Sequence, residues 1–288
     1  NSWDNYFYMH TNKDAEDFKI ERCKDINAQK WETFIAPKEE TLIGNLLFLN
    51  KWIVRSEVTN ALDKIFVKNI ETNKEEELIF TDENVYEAAV SHIQKDKNTD
   101  LIYIAYSTPK TQSRAYLYNL KTKEKKLVKE QIIPSGHDSK NYIVERLECE
   151  SHDGRKVPIT ITRHKDTPVD GSAHLLLYGY GSYGASMTAS FSSTRLSLIN
   201  RNIIWATAHI RGGMERGMKW WKEGKLLHKK NTFKDYIYSA NFLINKKYTS
   251  KGKIIGMGGS AGGLLMGAVV NEVPDIFLGM VMAVPFVD

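Results

Sequence analysis

Cysteine is scarce in this chain: there are 2 in 288 residues, Cys23 and Cys149, with no CxxC spacing. Two thiols so far apart form neither a zinc-ligand pattern nor a disulfide framework, so small stapled folds are excluded and a reducing cytoplasm is the expected compartment. Long apolar runs are missing as well. No uncharged apolar stretch reaches the roughly 18 residues of a membrane helix, and the opening NSWDNYFYMH has no basic leader ahead of an apolar segment. Neither a membrane span nor a secretion signal is expected. Charge of one sign never accumulates: 40 basic and 35 acidic residues leave +5, and the lysines are interleaved with acids, as in ETNKEEELIF and NLKTKEKKLVKE. Mixed runs of this kind are solvated faces, and no nucleic-acid partner is expected.

What remains is ordinary globular material, with 42% hydrophobic and 26% charged residues, enough for two domains or one large one. Its first half repeats. KWIVRSEVTNALDKIFVKNIETNKEEEL from Lys51 and LIYIAYSTPKTQSRAYLYNLKTKEKKLV from Leu101 both read strand, turn, strand, turn, with Asn69 and Asn119 in register 50 residues apart. An earlier copy, NYFYMHTNKDAEDFKIERCKD, sets Phe18 against Ile65 at a spacing of 47. Three units rich in Tyr, Ile, Val and Phe predict about three four-stranded β-propeller blades over residues 1–140. Propellers close with about 4–8 blades, so three leave a ring open.

From residue 141 to 288 the texture becomes α/β. Strand-like YIVERLECE, KVPITITRH, HLLLYGYG and NIIWATAHI are followed by the helical NTFKDYIYSANFLINKKY, then KIIGMGGS, the helical AGGLLMGAVVNEV and GMVMAVPFV. The near-continuous apolar runs ending at Ser260 and Asp288 predict parallel strands covered on both faces, and the first strands an antiparallel edge.

Gly258-Gly259-Ser260-Ala261-Gly262 satisfies GxSxG between a strand and a helix. The turn is so tight that side chains flanking the serine would collide with strand or helix, and it pushes the serine Oγ to the top of the sheet. The Ala261 N–H at the new helix start is then placed to donate to an oxyanion. Glycine-rich turns also bind phosphate, but no GxGxxG follows the strand and no Lys-Ser/Thr pair closes the loop. A second strand-to-loop junction, LLLYGYGSYG, interleaves Tyr178, Tyr180 and Tyr183; a phenol there could be a second oxyanion donor, or the stretch could be a tyrosine-decorated turn in the core. In AHIRGGMERG, Arg211 and Glu215 are expected to pair in a structural role.

YGYGSYGAS, AHIRGGMERG, WWKEGKLLHKKNTFKDY, GMGGSAGGLLMGAVVNEVPDIF and AVPFVD together resemble the prolyl oligopeptidase family of serine peptidases, and within it the oligopeptidase B branch. The likeness runs over nearly the whole chain, including YNLKTKEKKLVKEQIIPSGHDSKNYIVERL at the junction of the two halves. It implies a seven-bladed propeller capping an α/β-hydrolase domain, and cleavage of short peptides after Arg or Lys without metal or organic cofactor. It assigns the nucleophile to Ser260 and the oxyanion donors to the Ala261 N–H and the Tyr180 hydroxyl. One departure is that Thr188 and Ser190 stand where that branch tends to carry acidic residues.

A serine needs a base, and the α/β-hydrolase order is Ser, then Asp or Glu, then His. All eight histidines precede Ser260, and the aspartates after it, Asp275 and Asp288, match no catalytic acid of the family. His209, at a strand end, matches a family position without a base role. The resemblance places the acid, the base and the pocket for a basic side chain beyond Asp288. The expectation is a portion of a longer peptidase, short at both ends and inactive alone, which a complementary C-terminal chain could complete. A non-catalytic remnant or propeller-based interaction module is the alternative. An esterase or lipase would share the elbow without explaining the repeat, and an acylaminoacyl-peptidase relative fits KLLHKKNTFKDY less well.

Overall fold

The structure, a computed structural model, describes residues 2–93 and 97–286. Asp288 therefore lies outside the described residues. The first part forms three antiparallel four-stranded sheets in chain order. The first holds β1 (Ser2–Trp3), β2 (Tyr6–Thr11), β3 (Lys19–Cys23) and β4 (Glu32–Ile35). The second holds β5 (Thr41–Phe48), β6 (Trp52–Thr59), β7 (Leu62–Asn69) and β8 (Glu75–Glu77), and the third β9 (Glu87–His92), β10 (Leu101–Ser107), β11 (Arg114–Asn119) and β12 (Lys125–Glu130).

Alternation explains how these sheets stack. Ile102, Ile104 and Tyr106 project from one face of β10 and bury against Val54, Ile65 and Val67 of the second sheet. Tyr8 and Ile20 of the first sheet pack on Ile43, Phe48 and Ile53 of the second. Each fully buried side chain contributes about 1.5–3 kcal/mol, so a blade draws its stability from its neighbours. The 50-residue repeat is visible atom by atom. Asn69 Oδ1 accepts from the N–H groups of Glu71 and Thr72 at 3.0 Å each, and Asn119 Oδ1 from those of Lys121 and Thr122 at 2.9 and 3.0 Å. The first copy deviates: Phe18 sits in a left-handed turn (φ 71°) before β3, whereas Ile65 lies inside β7. The buried isoleucine of β3 is Ile20, followed by a register shift between Ile20 and Glu21.

The second part is one six-stranded sheet built from β13 (Tyr142–Glu150), β14 (Lys156–His164), β15 (Leu175–Tyr178), β16 (Ile204–Ala208), β17 (Ile254–Gly259) and β18 (Phe277–Ala283). Its order is β13-β14-β16-β15-β17-β18. β13 and β14 run antiparallel at one edge, and β16, β15, β17 and β18 are mutually parallel. The helices are α1 (Ser193–Ile199), α2 (Gly217–Lys222), α3 (Lys230–Asn245) and α4 (Ala261–Glu272). Leu175 and Leu177 join the core that includes Tyr236 and Leu243 of α3 and Leu265 of α4, while Leu176 joins Leu196 and Ile199 of α1 on the opposite face. That double cover is why β15 reads as an unbroken apolar run.

β18 departs from the expectation of a strand covered on both faces. Phe277 is buried, but Leu278, Val281 and Met282 are 58%, 43% and 40% exposed. β18 is the outer strand of the sheet; α4 packs along it, and Tyr236 of α3 stacks on Phe277 at its start. An apolar run records the capacity to be covered, and in β18 only part of that capacity is used.

Candidate active site

β17 delivers the chain to Ser260, which takes φ 52° and ψ −117° before α4 begins at Ala261. This conformation is strained for a non-glycine residue. It is held from both sides: the Ser260 N–H donates to Ala283 O at 2.8 Å, and the Gly263 N–H donates to Ser260 O at 2.8 Å. Close approach explains the flanking glycines. A Cβ on Gly258 would lie 2.2 Å from the Gly262 carbonyl oxygen, and one on Gly262 would lie 2.9 Å from the Gly179 carbonyl oxygen. The serine itself is exposed.

Ala261 is buried and is the first residue of α4, where N–H groups have no acceptor within the helix and the dipole is positive. β15 lies beside β17, with Tyr178 opposite Met257, and the Gly179 N–H extends the ladder to Met257 O at 3.1 Å. Tyr180 therefore leaves β15 alongside the elbow. Its ring borders the first turn of α4, since a Cβ on Gly262 would be 3.4 Å from Tyr180 Cδ2. β16 is added on one side of β15 and β17 on the other, so Ser260 and Tyr180 flank the point where strand order reverses, at the carboxyl ends of the strands. Ligands of open α/β sheets bind at such a point.

The three tyrosines of the loop have separate fates. Tyr178 stacks on Trp205, ring centroids 6.2 Å apart, inside the α1 core. Tyr183 is 73% exposed at φ 56°. Tyr180 is half-buried beside the elbow. A cleft of about 580 Å³ between the third propeller sheet and the segment that leads into it, lined in part by Phe80, Tyr106, Arg114 and Lys125, includes none of Ser260, Ala261 or Tyr180.

Arg211 does not pair with Glu215. Its Nε and Nη2 donate to Asp235 at 2.9 and 2.7 Å, and its Nη1 and Nη2 to Asp153 at 2.5 and 3.2 Å. Glu215 is turned the other way and accepts from the Met187 N–H at 2.9 Å. Burial pushes its carboxyl up to about 7. The structural role expected for both charges fits their burial, but the partners come from distant elements.

His209 is wholly buried, and its Nε2 lies 2.8 Å from both Arg146 Nη1 and Thr160 Oγ1. Burial, reinforced by the Arg146 charge, holds the imidazole well below its ordinary pKa. With Nε2 occupied by the guanidinium and no solvent access, this ring is in no position to serve Ser260. Asp275 is exposed and faces Lys251 at 3.6 Å.

Sequence reading missed two partly buried cations. Arg146 donates to His209, to Thr160 Oγ1 and to the Asn60 carbonyl oxygen of the propeller. Lys229 Nζ donates to Gly181 O at 2.6 Å and Ser182 Oγ at 2.8 Å, and burial lowers its pKa to about 8. Neither stands out in VERLECE or KLLHKKN, where charges alternate or cluster without pattern.

A partial propeller followed by an incomplete α/β-hydrolase sheet is the architecture these elements define. Residues 1–131 match the family model for the prolyl oligopeptidase N-terminal beta-propeller domain, and residues 189–288 the one for the prolyl oligopeptidase family. Dipeptidyl aminopeptidase BI of Pseudoxanthomonas mexicana is 38% identical over 284 residues, which is 97% of this chain and 39% of that protein. Protease 2 of Moraxella lacunata is 34% identical over 287 residues, 99% of this chain and 41% of that one. The structure of oligopeptidase B from Trypanosoma brucei with covalently bound antipain, in its closed form, superposes with a TM-score of 0.89 at 33% identity, covering 98% of this chain and 41% of that one. The chain thus spans about two fifths of the length of the curated relatives it matches. It belongs to the prolyl oligopeptidase family of serine peptidases.

Proposed function

We propose that this chain carries the nucleophile and the oxyanion donors of a serine oligopeptidase, with Ser260, Ala261 and Tyr180 in those roles. The observation that carries the reading is the strained, exposed Ser260 between β17 and α4, next to Tyr180 at the reversal of strand order. In the reaction, Ser260 Oγ bonds to the carbonyl carbon of the scissile peptide as its proton passes to a base. The carbonyl oxygen becomes an oxyanion that accepts from the Ala261 N–H and the Tyr180 hydroxyl. Collapse of the tetrahedral intermediate expels the amine, which takes that proton, and leaves an acyl-serine that water hydrolyses. The base is an imidazole from outside these 288 residues, in a longer polypeptide or a complementary chain, because every histidine here precedes Ser260 and His209 is wholly buried with its Nε2 held by Arg146 and Thr160.

The substrates are short peptides admitted past the propeller and cut after Arg or Lys. Likeness to Protease 2 and oligopeptidase B supports this preference. The loop after Tyr180, with Thr188 and Ser190, contributes no charge to it. The relative named as a dipeptidyl aminopeptidase favours a second reading, removal of dipeptides from a free N-terminus. A cytoplasmic setting accords with two buried free thiols, Cys23 and Cys149, in separate sheets.

Fluorophosphonate labelling read by mass at Ser260 tests the assignment. The 288-residue chain alone is expected not to label. Adding a polypeptide matching the C-terminal part of the relatives is expected to restore labelling, which Ser260→Ala abolishes. Persistent silence of the folded, complemented chain, or labelling elsewhere, would refute the Ser260 assignment. Blocked Arg and Lys substrates, blocked Pro substrates and free dipeptidyl amides then separate the specificities.

A further inference from the structure

Lys229 caps the N-terminus of α3, where a cation is disfavoured by the helix dipole. Its ammonium is half-buried, and no charged neighbour offsets the desolvation that lowers its pKa. Partly burying a cation without a carboxylate costs stability, so its position calls for another explanation. Its hydrogen-bond acceptors provide one. Both of them, Gly181 O and Ser182 Oγ, belong to the loop that begins with Tyr180.

Backbone hydrogen bonds to other elements hold this loop at its two ends, and within it the Ala185 N–H donates to Ser182 O at 3.0 Å. The Gly179 N–H is tied to Met257 O, and the Gly184 N–H to Gly212 O at 2.9 Å. α3 lies beneath it as a cradle: the Tyr236 hydroxyl donates to Leu177 O at 2.6 Å, and a Cβ on Gly181 would fall 2.4 Å from Thr232 Cγ2. Lys229, Thr232 and Tyr236 thus follow one face of the helix along the loop. Between the two anchored ends, Lys229 supplies hydrogen bonds to the carbonyl and hydroxyl next to Tyr180.

We propose that Lys229 is the positioning residue for Tyr180, holding the Gly181–Ser182 segment through its ammonium so that the phenol stays beside the Ser260 elbow. The catalytic consequence rests on the oxyanion role given to Tyr180 above, whereas the positioning itself does not.

3-Fluorotyrosine placed at position 180 of this chain gives a fluorine NMR signal that reports the phenol's surroundings without any turnover. Lys229→Met is expected to shift or broaden that signal, and Lys229→Arg to return it towards the original. A second label at Tyr248, which bonds to Glu145 far from the loop, is expected to stay unchanged and so exclude general unfolding. An unchanged signal at position 180 in Lys229→Met overturns the proposal, as does failure of Lys229→Arg to restore it, since packing alone would then explain the effect. In the complemented protein, Lys229→Met is expected to slow labelling of Ser260 by less than Tyr180→Phe, whose loss should be on the order of 10²–10³-fold. If Tyr180→Phe labels at the normal rate while the NMR response to Lys229→Met stands, the oxyanion reading fails and the positioning role survives.

Discussion

Replacing Asp235 with alanine removes one carboxylate that accepts from the Arg211 N–H at 3.0 Å, Arg211 Nε at 2.9 Å, Arg211 Nη2 at 2.7 Å and Ser151 Oγ at 2.6 Å. Asp235 is 0% and Arg211 1% exposed, so neither water nor rearrangement readily replaces those bonds. Breaking a buried pair by deleting one partner costs about 3–5 kcal/mol. Asp153, whose side chain is 36% exposed, keeps its two contacts with the guanidinium, which places the expected loss near the lower figure, about 3 kcal/mol. Against a total stability of about 5–15 kcal/mol that is a large fraction. Urea denaturation followed by tryptophan fluorescence suits the measurement, because buried Trp220 lies 5.8 Å from the Arg211 guanidinium. Asp235→Asn should fare little better, since one end of its amide presents N–H groups to the donors of Arg211. The pair Arg211→Met with Asp235→Leu is expected to recover part of the loss by removing the buried charge altogether. A loss below about 1 kcal/mol for Asp235→Ala, the range of an exposed ion pair, would mean that Asp153 and solvent already balance Arg211.

The Glu215 carboxyl titrates near 4.5 unfolded and about 7 folded because of its burial. Between those values the folded state holds a proton that the unfolded chain has released, so this group lowers stability as pH rises. At about 1.4 kcal/mol per unit the span is about 3 kcal/mol, and Glu215→Gln should flatten it in denaturation curves recorded from pH 4.5 to 7.5. Ser260→Gly should be more stable than Ser260→Ala by about 1 kcal/mol, because only glycine occupies φ 52° and ψ −117° without strain. Equal midpoints in thermal unfolding would contradict the strained elbow. Asn69→Ala and Asn119→Ala should each cost about 1 kcal/mol by removing paired turn hydrogen bonds, and a clear inequality between them would count against equivalent blades.

Local chemistry made much of the fold legible. YIVERLECE and KVPITITRH become β13 and β14 residue for residue, because alternation and β-branching act over a few positions. The elbow was readable for the same reason in part: Gly258 answers to a collision with Gly262 four residues on, whereas Gly262 answers to the distant Gly179 carbonyl. Arg211 was misread for the opposite reason. Glu215 is its near neighbour in sequence, but the carboxylates that reach it, Asp153 and Asp235, are 58 and 24 residues away and are brought in by packing. Lys229 was invisible for a related reason, since its acceptors are a backbone carbonyl and a serine on another element. In the first blade, Phe18 falls in the turn before β3, and the buried isoleucine of that strand is Ile20.

The same distant packing explains why the one histidine near the top of the sheet is occupied. Asn60 and Ala61, at φ 50° and 57°, form the two-residue turn of the β6–β7 hairpin, whose twist favours such values. That turn docks on the α/β sheet: Asn60 O accepts from Arg146, and the Ala61 N–H donates to Glu215 O at 2.8 Å. Arg146 carries the contact inward to His209, and the Glu215 carboxylate carries it to the Met187 N–H, in the segment that follows the Tyr180 loop. Recruiting His209 as a base would require withdrawing Arg146 from it and so loosening the hold on the propeller turn. The histidine is tied through Arg146 to the contact between the two halves, and the chemistry proposed for Ser260 needs a proton acceptor other than His209.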